Sequence, residues 1–289
     1  MKKIISFIAL VCIVVTLAPA AIAFAADPVI QGNDKAAVDV TNIADGYVRI
    51  TYKGAASAKV KVIIKTPKAT EYKYNLKTVA EGEVFPLTEG DGKYTIGVYT
   101  NASGNKYAVS FTTTADVKLN NTYAPFLVPS QYVNFIPEGD KKSEVVKKAA
   151  EVTKDKKTDL EKITAVYNEV LKFTYDTPKA KTVESGYLPD VDKILSSQKG
   201  ICFDYAAVMT AMLRSQKIPC QLVVGYVGEV CHAWINAYTK EEGWVKEVIQ
   251  FDGKTWKLMD PTFASTGKES KDTMKYIGDG KNYSAKYYY

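Results

Sequence analysis

The periodicity of apolar residues changes once along this chain, and that change restricts the fold more than any other feature. Between about Val29 and Leu119, segments such as Tyr47–Tyr52 and Glu71–Leu76 alternate apolar with polar residues, which is typical of half-buried strands. From about Lys142 onward, apolar residues recur at helical spacing before further strand patterns follow. The sequence therefore predicts an all-β region followed by an α+β region.

The first residues have the pattern of an export signal. Lys2 and Lys3 precede the apolar run Ile4–Ala23, and the small residue Ala25 completes a cleavage site. We predict that residues 1–25 are a signal peptide and that the mature protein is secreted or extracellular, with cell-surface association as an option. The run is also long enough for an uncleaved membrane anchor, which is the alternative. We expect no membrane span after cleavage.

The chain of 289 residues is longer than one hydrophobic core usually serves, so two domains are expected. We predict a β-sandwich of immunoglobulin-like type at 28–119, a linker at 120–141 and an α+β domain at 142–289. Short strands separated by turn signals support the sandwich. The linker is rich in aromatic residues and is expected to pack on the second domain; these are Tyr123, Phe126, Tyr132 and Phe135.

Charge and composition argue against several classes of function. The net charge is +6, lysines are scattered, and the arginines are Arg49 and Arg214 alone, so nucleic-acid binding has little support. The chain has one histidine, and its cysteines lack the spacing of a zinc site. No glycine-rich phosphate loop follows a strand. We therefore expect no cofactor and no metal.

The helical part carries clear boundary signals. Thr158 and Glu161 form a capping box that predicts the start of a helix. A short helix is predicted at Val191–Ser197, and a longer one from Cys202 to about Gln216 with a buried apolar face. A further strand is predicted at Lys254–Met259.

Two strands, Gln221–Val227 and Val230–Tyr238, are predicted to form a hairpin. In that register Cys231 faces Tyr226 and lies roughly 20 Å along the strands from Cys220. Because a disulfide needs Cα atoms within roughly 7 Å, we predict three free thiols in the mature protein. Cys231 points away from the face of the neighbouring histidine and is expected to lie in the core.

Three residues have the chemistry of a thiol-dependent catalyst. Cys202 follows Gly200, which permits a close backbone approach, and it begins a helix whose N–H groups and dipole stabilise a thiolate. His232 is the only histidine and shares a strand face with Trp234. Asp260 can orient the imidazole, although an aspartate before Pro-Thr can also be a turn cap.

The segments around these residues resemble the transglutaminase-like superfamily. The motifs are G-I-C-F-D-Y-A at Gly200–Ala206, H-A-W at His232–Trp234, and W-K-L-M-D-P-T at Trp256–Thr262. The resemblance covers the chain from about Lys142 onward and implies a papain-like fold with a Cys202–His232–Asp260 triad. The family includes protein cross-linkers, deamidases, proteases and amidases, so it does not define the reaction.

We therefore predict an exported thiol acyl-transfer enzyme that acts on protein or peptide carboxamides through a thioester. The alternatives are a cysteine protease or amidase acting on wall peptide or extracellular protein, and a non-catalytic surface binding module. The partner is a protein or peptide substrate, and the oligomeric state is open.

Two side chains near the site and the aromatic tail of the chain have less defined roles. Gln198 is the nearest second oxyanion donor, although a surface position at a helix end is favoured. Asp204 is expected to be solvated at the helix start, where it suits the dipole. The aromatic tail Tyr287–Tyr289 is expected to form a closing strand, with an aromatic rim for substrate as the alternative.

Overall fold

The computed structural model describes residues 27–77, 82–240, 243–245, 249–251, 256–258 and 283–289. The predicted signal peptide at 1–25 and the predicted site residue Asp260 lie outside these ranges. Within the described residues, no helix combines the length and apolar character that a membrane span requires.

The described N-terminal strands assemble into two antiparallel sheets of four strands each. Their bounds are β1 Ile30–Gly32, β2 Ala36–Asp39, β3 Tyr47–Tyr52, β4 Val60–Lys65, β5 Glu71–Leu76, β6 Glu83–Pro86, β7 Gly92–Ser103 and β8 Lys106–Val117. One sheet has the order β1-β2-β3-β6 and the other β5-β4-β7-β8. A 3₁₀ turn at Ile43–Asp45 connects β2 with β3.

The two sheets face each other across a shared hydrophobic core. Along β5, Tyr72, Tyr74 and Leu76 are buried and the residues between them are exposed, because successive side chains point to opposite faces. The Tyr74 ring meets the Phe85 ring of the other sheet at a centroid distance of 4.9 Å. The predicted all-β character is confirmed, and the immunoglobulin-like type stays a prediction.

The C-terminal region combines five described helices with a second set of strands. The helices are α1 Glu144–Thr153, α2 Asp159–Val170, α3 Thr177–Thr182, α4 Val191–Ser197 and α5 Cys202–Ser215. The strands are β9 Thr174–Tyr175, β10 Lys199–Gly200, β11 Cys220–Val227, β12 Val230–Thr239, β13 Gly243–Val245, β14 Ile249–Phe251, β15 Trp256–Leu258 and β16 Tyr283–Tyr288. An antiparallel sheet has the order β13-β12-β11-β16, β9 pairs with β10 in parallel, and β14 pairs with β15.

The capping box predicted at the start of α2 is present. The Thr158 hydroxyl accepts a hydrogen bond from the Glu161 N–H at 3.2 Å, and the Glu161 carboxylate accepts one from the Thr158 N–H at 3.0 Å. Two N–H groups near the helix end thereby gain partners. The helix then buries Ile163, Val166 and Val170 in the core.

Helix α5 lies at the centre of this core. Every residue from Asp204 to Arg214 is buried, because α1, α2, α4, β11 and β12 all pack against the helix. The sequence predicted one buried face, but Ala207 and Ala211 are buried as well. The fold therefore holds the start of this helix, and Cys202 with it, on a rigid element.

The linker packs on the C-terminal region as predicted. Tyr123 stacks on Tyr238 at 5.0 Å, and Phe126 meets Trp244 at 5.3 Å. A 3₁₀ turn at Ala124–Leu127 lies within this segment. The domain boundaries at 119 and 142 stay a prediction.

An aromatic cluster joins the two regions at β16, which closes the second sheet as predicted from the tail. The Tyr289 ring lies 5.5 Å from Tyr72, 6.1 Å from Tyr74 and 4.6 Å from Tyr132. The Tyr288 N–H also donates to the Tyr72 hydroxyl at 3.2 Å. The sandwich is thus packed directly against the edge of the second sheet.

Candidate active site

Cys202 occupies the first helical position of α5. Ile201 before it has extended backbone, with φ −100° and ψ 176°, so the helix begins sharply at the cysteine. The Cys202 side chain is partly exposed and packs against the core. The first N–H groups of a helix lack intrahelical partners, and the positive end of the helix dipole favours an anion such as a thiolate.

Gly200 is needed for this geometry. A Cβ at this position would lie 2.6 Å from the Asp204 Cβ and 2.8 Å from its Oδ2 atom. Any side chain at Gly200 would therefore displace the Asp204 carboxylate. The close approach predicted at Gly200 is present, and Asp204 is the group that approaches.

Asp204 is fully buried, so the expectation that it is solvated is wrong. Its Oδ2 atom accepts hydrogen bonds from the Ile201 N–H at 2.9 Å and from Lys179 Nζ at 2.5 Å. The Tyr187 hydroxyl donates to Oδ1 at 2.6 Å. Burial raises the pKa of Tyr187 well above its usual value, and the hydrogen bond to Asp204 raises it further. Helix α3 and the loop after it pack over the Asp204 carboxylate, and the sequence did not predict this packing.

The residues before Cys202 are held by a short parallel strand pair. The Thr174 N–H donates to the Gln198 carbonyl and the Asp176 N–H donates to the Gly200 carbonyl, each at 2.8 Å. Gln198 is exposed, ends α4 and has left-handed backbone with φ 49°. The favoured surface position of Gln198 is confirmed, and its backbone, rather than its amide, has a role in the described contacts.

His232 lies in β12 opposite Gly225 and is buried among aromatic rings. Its ring centroid is 6.2 Å from Trp234 and 6.3 Å from Tyr283, and those two rings meet at 5.1 Å. A Cβ at Gly225 would lie 2.8 Å from the Trp234 ring and 2.1 Å from the Ser284 carbonyl, so only glycine fits there. The predicted neighbour Trp234 is confirmed, and Tyr283 of β16 is a neighbour that the motifs did not reveal.

The strand β12 is covered on both faces along its middle. Ala233, Ile235 and Ala237 belong to the core that includes α5, whereas His232 and Trp234 alternate with them and point to the other face. Helix α5, which begins at Cys202, therefore packs on the face of β12 opposite to the one from which His232 points. The triad stays a prediction, because these contacts leave the thiol–imidazole pairing untested and Asp260 lies outside the described residues.

The other two cysteines differ sharply. The hairpin register is the predicted one, with Cys231 opposite Tyr226, and Cys202, Cys220 and Cys231 are all free. Cys220 is buried, which raises the pKa of its thiol to about 12. Cys231 is exposed, so its predicted place in the core is wrong. It lies at the outer end of the hairpin, beyond the part of β12 that the described neighbours cover.

A groove of about 480 Å³ runs between the sandwich and the second sheet. Trp234 and Tyr283 line it on one side, and Lys68 and Glu89 of the sandwich line it on the other. The rings that surround His232 thus also line this groove. In the part of the chain that the structure describes, no cluster of histidine, cysteine, aspartate and glutamate could hold a metal ion.

A family model described as the transglutaminase-like superfamily matches residues 146–247. The matched segment contains both Cys202 and His232 and ends before Asp260. The predicted resemblance is confirmed, and members of this superfamily are cysteine-dependent enzymes.

Three solved structures resemble the chain at low identity. They are a "putative cysteine protease" from Cytophaga hutchinsonii (19% identity, 71% of this chain and 72% of that chain, TM-score 0.37), a "putative protease" from Parabacteroides distasonis (16%, 67% and 38%, 0.32) and the transglutaminase of red sea bream (11%, 80% and 53%, 0.31). All three TM-scores are low, so the assignment rests on the matched family segment. Comparison with curated proteins found no match.

Proposed function

We propose that this protein is an exported thiol acyl-transfer enzyme that acts on protein or peptide carboxamides. The observation that carries the proposal is the position of Cys202, a partly exposed thiol at the first residue of a buried helix inside the transglutaminase-like segment. A thiol in this position has the N–H groups and the dipole that stabilise its anion.

The proposed reaction has two halves. In the first, the Cys202 sulfur bonds to the carboxamide carbon, the carbon–nitrogen bond breaks, and ammonia leaves with the proton that His232 took from the thiol. In the second, the nitrogen of a primary amine or the oxygen of water bonds to the thioester carbon, the carbon–sulfur bond breaks, and the proton that the nucleophile loses returns through His232 to the sulfur. Asp260 is proposed to accept a hydrogen bond from the imidazole and to hold its orientation.

Two local features support these roles. The backbone N–H of Cys202 lies at a helix start, where it can donate to the developing oxyanion. The rings of Trp234 and Tyr283 pack around His232 and exclude water from one side of it. A lower local dielectric strengthens the attraction between an imidazolium and a thiolate.

The choice between amine and water decides whether the enzyme is a transferase or a hydrolase. The mature protein is incubated with a glutamine-containing protein and a labelled primary amine, and incorporated label, released ammonia and cleaved peptide are measured. We expect incorporation that Cys202→Ala abolishes and Cys231→Ala leaves intact. Ammonia or cleaved peptide without label would make the protein an amidase or a protease. No product, together with an unreactive Cys202, would make it a binding module.

A further inference from the structure

We propose that Lys179 and Tyr187 are positioning residues that hold Cys202 at the start of α5 through the buried carboxylate of Asp204. The geometric part of this proposal stands on the described contacts. Its consequence for catalysis rests on the proposed role of Cys202 as nucleophile.

The carboxylate is the junction between the helix start and its surroundings. Asp204 lies two residues after Cys202 and is fully buried in the space that a side chain at Gly200 would fill. Its hydrogen bond from the Ile201 N–H, at 2.9 Å, fixes the residue immediately before the cysteine. Any movement of this carboxylate therefore moves the backbone on both sides of Gly200 and Cys202.

A buried carboxylate needs a partner, because the loss of hydration otherwise exceeds what one backbone hydrogen bond returns. Lys179 supplies the opposite charge at 2.5 Å, and Tyr187 donates a second hydrogen bond at 2.6 Å. Lys179 Nζ also lies 2.7 Å from the Tyr187 oxygen and 4.4 Å from the centre of its ring. The three side chains therefore form one closed network.

The network is tied to the chain in front of Cys202 by a second route. Asp176 caps α3 by accepting from the Lys179 N–H at 3.2 Å, and its own N–H donates to the Gly200 carbonyl. Lys199 lies 3.5 Å from the Asp176 carboxylate. Helix α3 thus contacts the helix start through both its backbone and its lysine.

The charge balance matters for the thiolate. An unpaired carboxylate in the first turn would oppose a negative charge on the neighbouring sulfur. Lys179 neutralises it, so the helix N-terminus keeps its positive character for Cys202. Lys179 is therefore expected to affect the reactivity of Cys202 without touching the substrate.

The test measures the alkylation rate of Cys202 by iodoacetamide from pH 5 to pH 9, with exposed Cys231 as a reference in the same molecule. The variants are Lys179→Met, Lys179→Arg and Tyr187→Phe. Lys181→Met, an exposed lysine on the same helix, is the matched control. Amide hydrogen exchange of residues 200–204 reports the order of the helix start independently of any activity.

We expect Lys179→Met to lower the alkylation rate of Cys202 relative to Cys231 about tenfold at pH 7, because it leaves a unit charge near the sulfur uncompensated. The pH profile should move to higher pH, and hydrogen exchange at 200–204 should rise. Lys179→Arg should restore most of the rate, Tyr187→Phe should have a smaller effect, and Lys181→Met should have none.

Different experimental outcomes would contradict the positioning role and the proposed function. Suppose that wild-type Cys202 reacts much faster than Cys231, and that neither Lys179→Met nor Tyr187→Phe changes its alkylation rate, its pH profile or the hydrogen exchange of residues 200–204. The positioning role is then overturned, whereas the proposed role of Cys202 as nucleophile is retained. If wild-type Cys202 reacts no faster than Cys231, the proposed function fails, and the exchange data alone decide the positioning role. If Lys179→Met does not fold, Tyr187→Phe decides it.

Discussion

The N-terminal sandwich and the C-terminal region of this protein bury different kinds of side chain. The sandwich core is built by alternation along strands and consists of aliphatic, tyrosine and phenylalanine side chains. Among the described residues, the buried carboxylate, guanidinium and imidazole groups are those of Glu169, Asp204, Arg214 and His232, and all four belong to the C-terminal region. Buried charge costs hydration and is retained only where specific partners compensate it. Buried charge is therefore concentrated in the C-terminal region, which is also where we propose that the chemistry lies.

Arg214 shows what such compensation requires. Its guanidinium donates to the Cys220 carbonyl at 2.9 Å and 2.8 Å, to the Val128 carbonyl at 2.6 Å and to the Tyr289 oxygen at 2.6 Å. Burial lowers the pKa of Arg214 to about 10. One side chain of α5 thus connects the linker, β11 and the end of β16. In the sandwich, Arg49 of β3 is exposed instead.

The largest expected effect tests whether the chemistry lies only in the C-terminal region. Cys202→Ala should reduce label incorporation or hydrolysis at least about a thousandfold, because it removes the proposed nucleophile. Its urea denaturation midpoint should stay close to wild type. Cys231→Ala should keep full activity, and residual activity of Cys202→Ala near the wild-type level would contradict the assignment.

The second prediction compares the two arginines directly. Arg214→Met should lower the free energy of unfolding by about 3 kcal/mol, because several buried carbonyl groups lose their donors. Arg49→Met should change it by less than about 0.5 kcal/mol, since that side chain is exposed. Urea denaturation of both variants measures the difference. Equal effects would show that buried charge does not distinguish the two regions.

The third prediction concerns the capping box of α2. Thr158→Ala should cost about 1 kcal/mol of unfolding free energy, because the Glu161 N–H loses its acceptor. Ser196→Ala, at an exposed position inside α4, is the control and should be close to neutral. A loss of similar size in both variants would contradict a specific role of the cap, because alanine has the higher helix propensity and should not weaken α4.

The fourth effect, comparable in size to the third, is a dependence of stability on alkaline pH. The pKa of buried Cys220 is raised from 9.0 to about 12, so the folded state holds its proton more tightly than the unfolded state does. Stability from this thiol is complete below about pH 9 and is lost as pH rises toward 12. Between pH 8 and pH 10, wild type should lose on the order of 1 kcal/mol more than Cys220→Ala. Identical curves would show that Cys220 is not protected in the fold.

This last measurement also separates the two regions. The buried tyrosines Tyr72 and Tyr94 of the sandwich have pKa values raised above 10.0 by burial. The contribution of these tyrosines to folding stability is therefore lost only above about pH 10, at a higher pH than the contribution of the Cys220 thiol. If stability is lost already between pH 8 and pH 10 and Cys220→Ala removes that loss, the loss originates in the C-terminal region.

Local patterns in the sequence predicted much of this molecule. The bounds of β3 and β5 are the predicted ones, because alternation over six residues defines both the strand and its buried face. The register of the β11–β12 hairpin followed from its two-residue turn, and the capping box defined the start of α2. The position of Cys202 at a helix start was also predicted, since Lys199 and Gly200 break the preceding helix just before it.

Contacts between distant segments decided the rest. The sequence could not show that Lys179 and Tyr187 bury Asp204, because those residues meet only when α3 packs over the start of α5. It placed Cys231 in the core by alternation alone, but alternation defines a face and not whether another element covers it. Tyr283 joined His232 through the pairing of β16 with β11, some fifty residues further along the chain. Periodicity and capping depend on neighbouring residues and can be predicted from the sequence. Burial of a polar group depends on which distant segment packs over it, and only the tertiary structure decides that.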